Sequence, residues 1–494
     1  MYKNLFGTTF LLYAAGTVGV LYLFSEKINL KVNKETKIYF IEIILFGLST
    51  CITASKLLQF FNWCFVIMLL LLAMISQFFE KRQWNLGSYF IYLAKLFFST
   101  IGYTFLPVSE AFTSLKSKKK ADHKKVKPVI FGIIAAVSAL FIIFPLLLSS
   151  DMIFRTVFAK MFSPFNLIES FSNIDTVIGI SITFIFGFTL IYALFYASCH
   201  AQYPEQPNRN MPYFHPITGI TFSGIIAGIY LLYSGIQITY LFMGAGLPAG
   251  ITYSEYARSG FWQLMLVAFI NVCLVLGCMY LFSENKGLKI LLTVISCCTY
   301  IMICSADWRM YLYVKAYHLT FLRVCVFYSL VILAILMLGV IISIYVKKFP
   351  LTHYIIGVIT CGYLLFSFAQ PDYWIAKYNV SHIQHMNVSD LDYLLYGLSL
   401  DAVPAISEIK AEQLSGEGFG FQSEGSLIYS DMIDRQNDSS TLGETIVAEQ
   451  INSNIYDYYR TIYDNNKDLA FRKANYSRIR AKNIAYDKLK ELNK

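Results

Sequence analysis

Charge is scarce in this chain: 14% of its 494 residues are Asp, Glu, Lys or Arg, whereas 56% are apolar and 17% aromatic. So small a polar fraction excludes a water-soluble globular domain, and so large an apolar fraction excludes a disordered chain. With 12 prolines and no Gly-X-Y period, a collagen is excluded as well. The ten cysteines (Cys51, Cys64, Cys199, Cys273, Cys278, Cys297, Cys298, Cys304, Cys325 and Cys361) all lie in or at the end of apolar stretches. A disulfide framework is therefore not indicated, and their spacing fits no zinc site. Gly-rich phosphate loops, nucleophile elbows, zincin motifs and kinase signatures are missing too, so no catalytic residue, metal or cofactor is assigned. The net charge of +9 does not make the chain a nucleic-acid binder. It divides into 27 Lys and Arg against 13 Asp and Glu up to Gln370, and 13 against 18 beyond it.

What the chain does have is apolar runs of bilayer length, about 20 residues each. Ten are read as spans: Leu5 to Phe24, Ile38 to Ala54, Leu58 to Phe79, Pro128 to Leu148, Thr176 to Ser198, Ile217 to Met243, Gly260 to Phe282, Leu288 to Ala306, Val324 to Val346 and Leu351 to Ala369. The first run is too long for a signal-peptide core and only Lys3 precedes it, so it is kept as a span. Tyr89 to Pro107 carries Lys95 and runs into a lysine cluster, and reads as an interfacial amphipathic helix. The fold class is an all-α polytopic membrane protein. Its parts are residues 1–127 (spans, interfacial helix, basic loop), a transmembrane core over 128–370, and a helical tail over 371–494 with a Gly- and Ser-rich middle at Gly416, Gly418, Gly420 and Gly425. The last 24 residues are basic, with eight Lys and Arg against two acids. They read as a surface helix, or as a partner for the acidic part of the tail or for anionic lipid.

Orientation follows the positive-inside rule. The cluster from Lys116 to Lys127 pins its loop to the cytoplasm, and ten spans then put 19 basic residues inside and 8 outside. Both termini fall outside; a crossing at Tyr89 to Pro107 would move only the N-terminal part.

Two outer segments carry most of the candidate chemistry. In Thr252 to Leu264, Thr252 and Glu255 have capping-box spacing, Glu255 and Arg258 share a helix face, and Gln263 sits just inside the bilayer. In Asp307 to Arg323, the helical spacing of Arg309, Tyr313, Tyr317, Thr320 and Arg323 predicts one polar and aromatic stripe. That stripe reads either as an interfacial helix at the head groups, or as a cationic site where Arg258, Arg309 and Arg323 meet an anionic group. Within the bilayer, Glu42 and Gln237 are the polar suspects, Gln237 as an interhelical hydrogen-bonding group. His382 and His385 lack further ligands for a metal site.

These blocks also carry a resemblance. Tyr256-Ala257-Arg258-x-Gly260-Phe261, Arg309-Met310 and Ala316-Tyr317-x-Leu319-Thr320-x-Leu322-Arg323 resemble a bacterial polytopic membrane family known as a domain of unknown function of the 4173 type, related to the 4153 type. Pro371-Asp372-x-x-Ile375-Ala376-x-x-Asn379-Val380 resembles the family's segment after its last span. So do Asp392-x-x-x-Tyr396 and Leu398-Ser399-x-Asp401-Ala402-Val403-Pro404-Ala405. The likeness runs from Pro128 to Ala405, and more weakly from Asn475 to Ala485. It implies a multi-span protein of the bacterial cytoplasmic membrane and brings no substrate or catalytic residue. The chain departs from the pattern at Gln263, where an acid is expected, and at His318, where a glycine is expected; the latter argues against a strict glycine requirement. The leading functional expectation is a non-enzymatic envelope protein that senses or assembles through its tail and outer face, with the lipid bilayer and an envelope protein as partners. The alternative is a transporter or lipid-handling protein for an anionic solute. Oligomeric state is not legible.

Overall fold

A computed structural model describes residues 7–78, 86–104, 106–107, 174–200, 214–239, 261–383, 386, 388–414, 439–467, 469 and 474–492. Helices account for nearly all of them, and the sole β feature among them is a bridge between Phe214 and Phe282. The apolar runs form α1 (Thr8–Lys27), α2 (Lys34–Ile52), α3 (Lys56–Phe78), α4 (Leu86–Gly102), α5 (Ile174–His200), α6 (Pro216–Gln237), α7 (Phe261–Leu281), α8 (Lys286–Tyr317), α9 (Phe321–Tyr345) and α10 (Leu351–Phe368). Among the described residues eight helices are long and apolar enough to cross a membrane, namely α1, α3 and α5 to α10. The expected second span is a helix, α2, but its first half carries Lys34, Glu35, Lys37 and Glu42, and it is not among those eight. The expected span at 128–148 lies outside the described residues.

The tail forms α11 (Pro371–His382), α12 (Val388–Asp392), a π turn at Tyr393–Gly397, a 3-10 turn at Leu400–Ala402, α13 (Val403–Ile406), α14 (Ala411–Leu414), α15 (Ser439–Asn466) and α16 (Tyr476–Leu492). The Gly-rich middle and His385 lie outside the described residues.

The chain has two compact units that cross the divisions expected from sequence. One holds Met1–Ile44 with Ile67–Pro204, the other Leu45–Val66 with Glu205–Lys494. In the first, Phe24 stacks on Phe195 at 3.9 Å, Tyr103 meets Tyr196 edge-on, and Asn33 and Glu35 bond to Gln77 and Ser76 at the ends of α2 and α3. Glu42 is buried there.

In the second unit α8 is central and packs on α6, α7 and α9, with Ile295, Ala306, Met310, Leu330 and Met337 fully buried. Lipid gives no hydrophobic drive between helices, so close packing and hydrogen bonds must hold them. Tyr354 lies over Gly339, where a Cβ would enter its ring, and its hydroxyl donates to the Ile335 carbonyl at 2.6 Å. The Tyr328 and Tyr300 hydroxyls donate likewise to the carbonyls of Gly362 and Ala334. Ser49, Asn62 and Ser367 close a buried ring of hydrogen bonds joining α2, α3 and α10, with Tyr363 stacked flat on Phe65 at 4.3 Å.

The C-terminal end of α8 departs from expectation. A separate interfacial helix is not formed: α8 runs 32 residues without interruption and stops at His318, whose φ of 60° and ψ of −179° end it. The stripe therefore divides, with Arg309, Tyr313 and Tyr317 on α8, and Thr320 and Arg323 at the start of α9. The backbone at His318 is in the region glycine favours, so histidine is accommodated there in a strained conformation: glycine is not strictly required, but a side chain carries a conformational cost.

Candidate functional site at two interhelical turns

The tail carries its own apolar core, in which Leu391, Leu394, Ala402, Val403 and Ile406 pack against Tyr459, Ile462, Ala481 and Ala485. Helix α11 starts three residues after α10 ends, through Gln370 in the left-handed region (φ 51°, ψ 65°). That tight turn sends the tail back over the ends of the membrane helices, where it meets two turns.

The first joins α2 to α3 through Thr53, Ala54 and Ser55. Helix ends leave backbone groups without partners, and inside a protein these must be satisfied. Here the tail satisfies them from more than 300 residues away. Asp401 accepts from the Thr53 hydroxyl at 2.5 Å and from the Ala54 amide at 2.6 Å. Asn475 donates to the carbonyls of Thr50 and Thr53 at 2.9 and 2.6 Å. The Ile52 carbonyl accepts from Ser477 at 2.8 Å and from Gln370 at 3.2 Å. Asp401, Asn475 and Ser477 are all buried.

A second carboxylate, Asp372, is buried nearby and accepts from the Ser399 amide at 3.3 Å. Burial pushes its carboxyl above the ordinary range; a hydrogen bond from Ser399 opposes that push and the charge of Asp401 adds to it.

The second turn joins α8 to α9. Asn379 holds Leu319 at both backbone groups, accepting from its amide and donating to its carbonyl, each at 2.9 Å. The Tyr393 hydroxyl accepts from the Phe321 amide at 2.9 Å. Arg323 folds back so that its guanidinium donates to the carbonyls of Tyr317 and His318, the last of α8, with its Cζ 4.2 Å from the centre of the Tyr313 ring. A cation on a helix C-terminus is favourable, and the aromatic face adds to it.

The other sequence candidates are dispersed. Arg309 is buried and donates to Gln237 at 3.3 Å, and Gln237 also accepts from Ser305 at 2.6 Å, an interhelical bond between α6 and α8. Tyr317 is exposed, Tyr313 and Thr320 are half-buried, and Gln263 is exposed in the first turn of α7. Glu255 and Arg258 lie outside the described residues.

Sequence reasoning missed the residues that grip the turns. It also missed Asn271, which joins Tyr230 on α6 to Thr299 on α8 at 2.7 and 2.9 Å. A lone Asn in a span was the available signal for Asn271. For the tail the signal was the resemblance itself. The named residues of its first tail block, Pro371, Asp372, Ile375, Ala376, Asn379 and Val380, are the buried face of α11. Residues Asp401 to Ala405 are likewise buried, as are Asn475, Ser477, Ala481 and Ala485.

No curated protein and no solved structure matches the chain. A family model does match, over residues 40–409, which takes in both turns and all of the tail segments that grip them except the final helix. The match covers about three quarters of the sequence, and the chain belongs to the family described as a domain of unknown function, DUF4153.

Proposed function

We propose that this is a non-enzymatic protein of the bacterial cytoplasmic membrane whose tail and outer α8 end act as one body, on the extracytoplasmic side, to sense a signal or assemble with an envelope partner. The observation that carries this reading is the reciprocal grip of Asn379 on Leu319, matched by Asp401 and Asn475 on the α2–α3 turn. A force or ligand acting on the tail would be delivered directly to the ends of α2, α3, α8 and α9. Kinship with the 4173 type belongs to the same reading. In the full-length protein, Asn379→Ala is expected to reduce recovery of an in-cell cross-linked partner, and removal of residues 371–494 to abolish it, while the spans remain inserted. Undiminished recovery from both variants would sink the proposal.

Transport or lipid handling of an anionic solute is the second reading, and one observation favours it. Arg309 is a buried cation whose neighbour Gln237 stands one turn from Ser234, a buried hydroxyl without a hydrogen-bond partner among the described residues. Intramembrane cations mark solute paths often enough to test. On this reading Arg309→Ala abolishes anion uptake into vesicles holding the purified protein, whereas wild-type flux in that variant removes the reading. Arg323→Ala is the poorer probe, since Arg323 also holds the end of α8.

A further inference from the structure

Beyond the two turns, the tail presents an aromatic and basic surface next to the bilayer. Trp374 and Lys377 on α11 are exposed, as are Tyr476, Ile479 and Arg480 on the first turns of α16. The two helices meet at Tyr373: Lys377 Nζ lies 5.8 Å from the centre of its ring and Arg480 Cζ lies 6.0 Å from it. Lys377 is also 5.4 Å from the Trp374 ring. Among the described residues no acidic side chain pairs with either cation.

Chain continuity fixes how far this surface stands from the hydrocarbon. Pro371 opens α11 three residues after the last residue of α10. At a rise of about 1.5 Å per residue, Lys377 is at most about 9 Å further on, within the reach of its side chain to the head-group layer. Asn475, just before α16, bonds to the Thr50 carbonyl within α2, so the first turn of α16 begins at the membrane end of that helix. Exposed Leu365 (68%), one turn before the end of α10, marks a lipid-facing side immediately below.

We infer that α11 and the start of α16 form a site for the head group of an anionic phospholipid. Lys377 and Arg480 hold its phosphate, and Tyr373, Trp374, Tyr476 and Ile479 seat in the interfacial layer. Trp and Tyr favour that layer because one end is apolar and the other polar. Lys and Arg lay their stems on apolar surface while their charges meet phosphate. This inference does not depend on sensing, assembly or transport.

The test is native mass spectrometry of the full-length protein with equal phosphatidylglycerol and phosphatidylcholine of the same acyl chains. Wild type is expected to retain phosphatidylglycerol selectively. The Lys377→Ala, Arg480→Ala double variant should lose that preference by about thirtyfold, and the Lys377→Arg, Arg480→Lys variant should keep it. Equal retention of the two lipids by wild type overturns the site whatever the variants do, as does an unchanged preference in the double alanine variant. Glycerol phosphate without acyl chains is expected not to compete; displacement by it at equal concentration would assign the pair of cations to a soluble phosphate instead. If the alanine variant does not fold, the wild-type preference must still fall as salt is raised from about 0.05 to 0.5 M, and a salt-independent preference refutes the phosphate contact.

Discussion

His318 stands at the one break between α8 and α9, with φ at 60° and ψ at −179°, a conformation that costs a side-chain-bearing residue about 1–3 kcal/mol. The turn keeps it because Asn379, Tyr393 and Arg323 fix the backbone from three sides. Replacing His318 by Gly is therefore expected to stabilise the protein, by about 1 kcal/mol after the greater chain entropy of glycine is subtracted. A thermal melt in detergent checks this, and a lower midpoint would mean that the His318 side chain itself supports the turn. The glycine expected here from the resemblance thus has a conformational cause. Gln263, by contrast, is exposed in the first turn of α7, and the structure offers no physical account of an acid at that position.

Elements are joined here by borrowed caps. The α2–α3 turn supplies some of its own, from Thr53 to the Ser55 amide and from Gln59 to the Thr53 carbonyl, and Asp401 and Asn475 add to them from the tail. Removing a capping side chain costs about 0.5–2 kcal/mol, and leaving a buried amide and hydroxyl unsatisfied adds to that. Asp401→Ala is thus expected to cost about 2–4 kcal/mol and to raise amide exchange at both Ala54 and the α11 backbone. Exchange confined to Ala54 would show that the tail stays docked without this contact. From the sequence, the helices could be delimited by apolar length, and Gln237 could be expected to make an interhelical bond. The partners of Thr53 and Leu319 could not, because hydrogen bonds spanning 60 to 425 residues leave no local period.

At the scale of the molecule the two turns constrain topology. One tail grips both, which ties the α2–α3 turn and the α8–α9 turn to a single body of helices. On the proposed extracytoplasmic placement of the tail, a cysteine at Ser440 is expected to react with an impermeant maleimide in intact cells, and one at Lys31, at the other end of α2 from the gripped turn, only after lysis. Reaction at Lys31 in intact cells would put both ends of α2 on one side and remove it as a span, and protection at Ser440 would put the tail in the cytoplasm.

The sequence by itself determined the solvent. Apolar runs of about 20 residues with little charge can be satisfied only as helices in lipid, because each helix completes its own backbone hydrogen bonds. It also marked where the tail begins, through the change of charge after Gln370. Tertiary structure alone decided which backbone groups the tail satisfies. Asp372, Asn379, Asp401 and Asn475 look like ordinary polar residues of a soluble segment, and only folding places them where helix ends need partners. That need is set by the membrane: a backbone group with no water at hand takes whatever side chain the fold delivers, however distant in sequence.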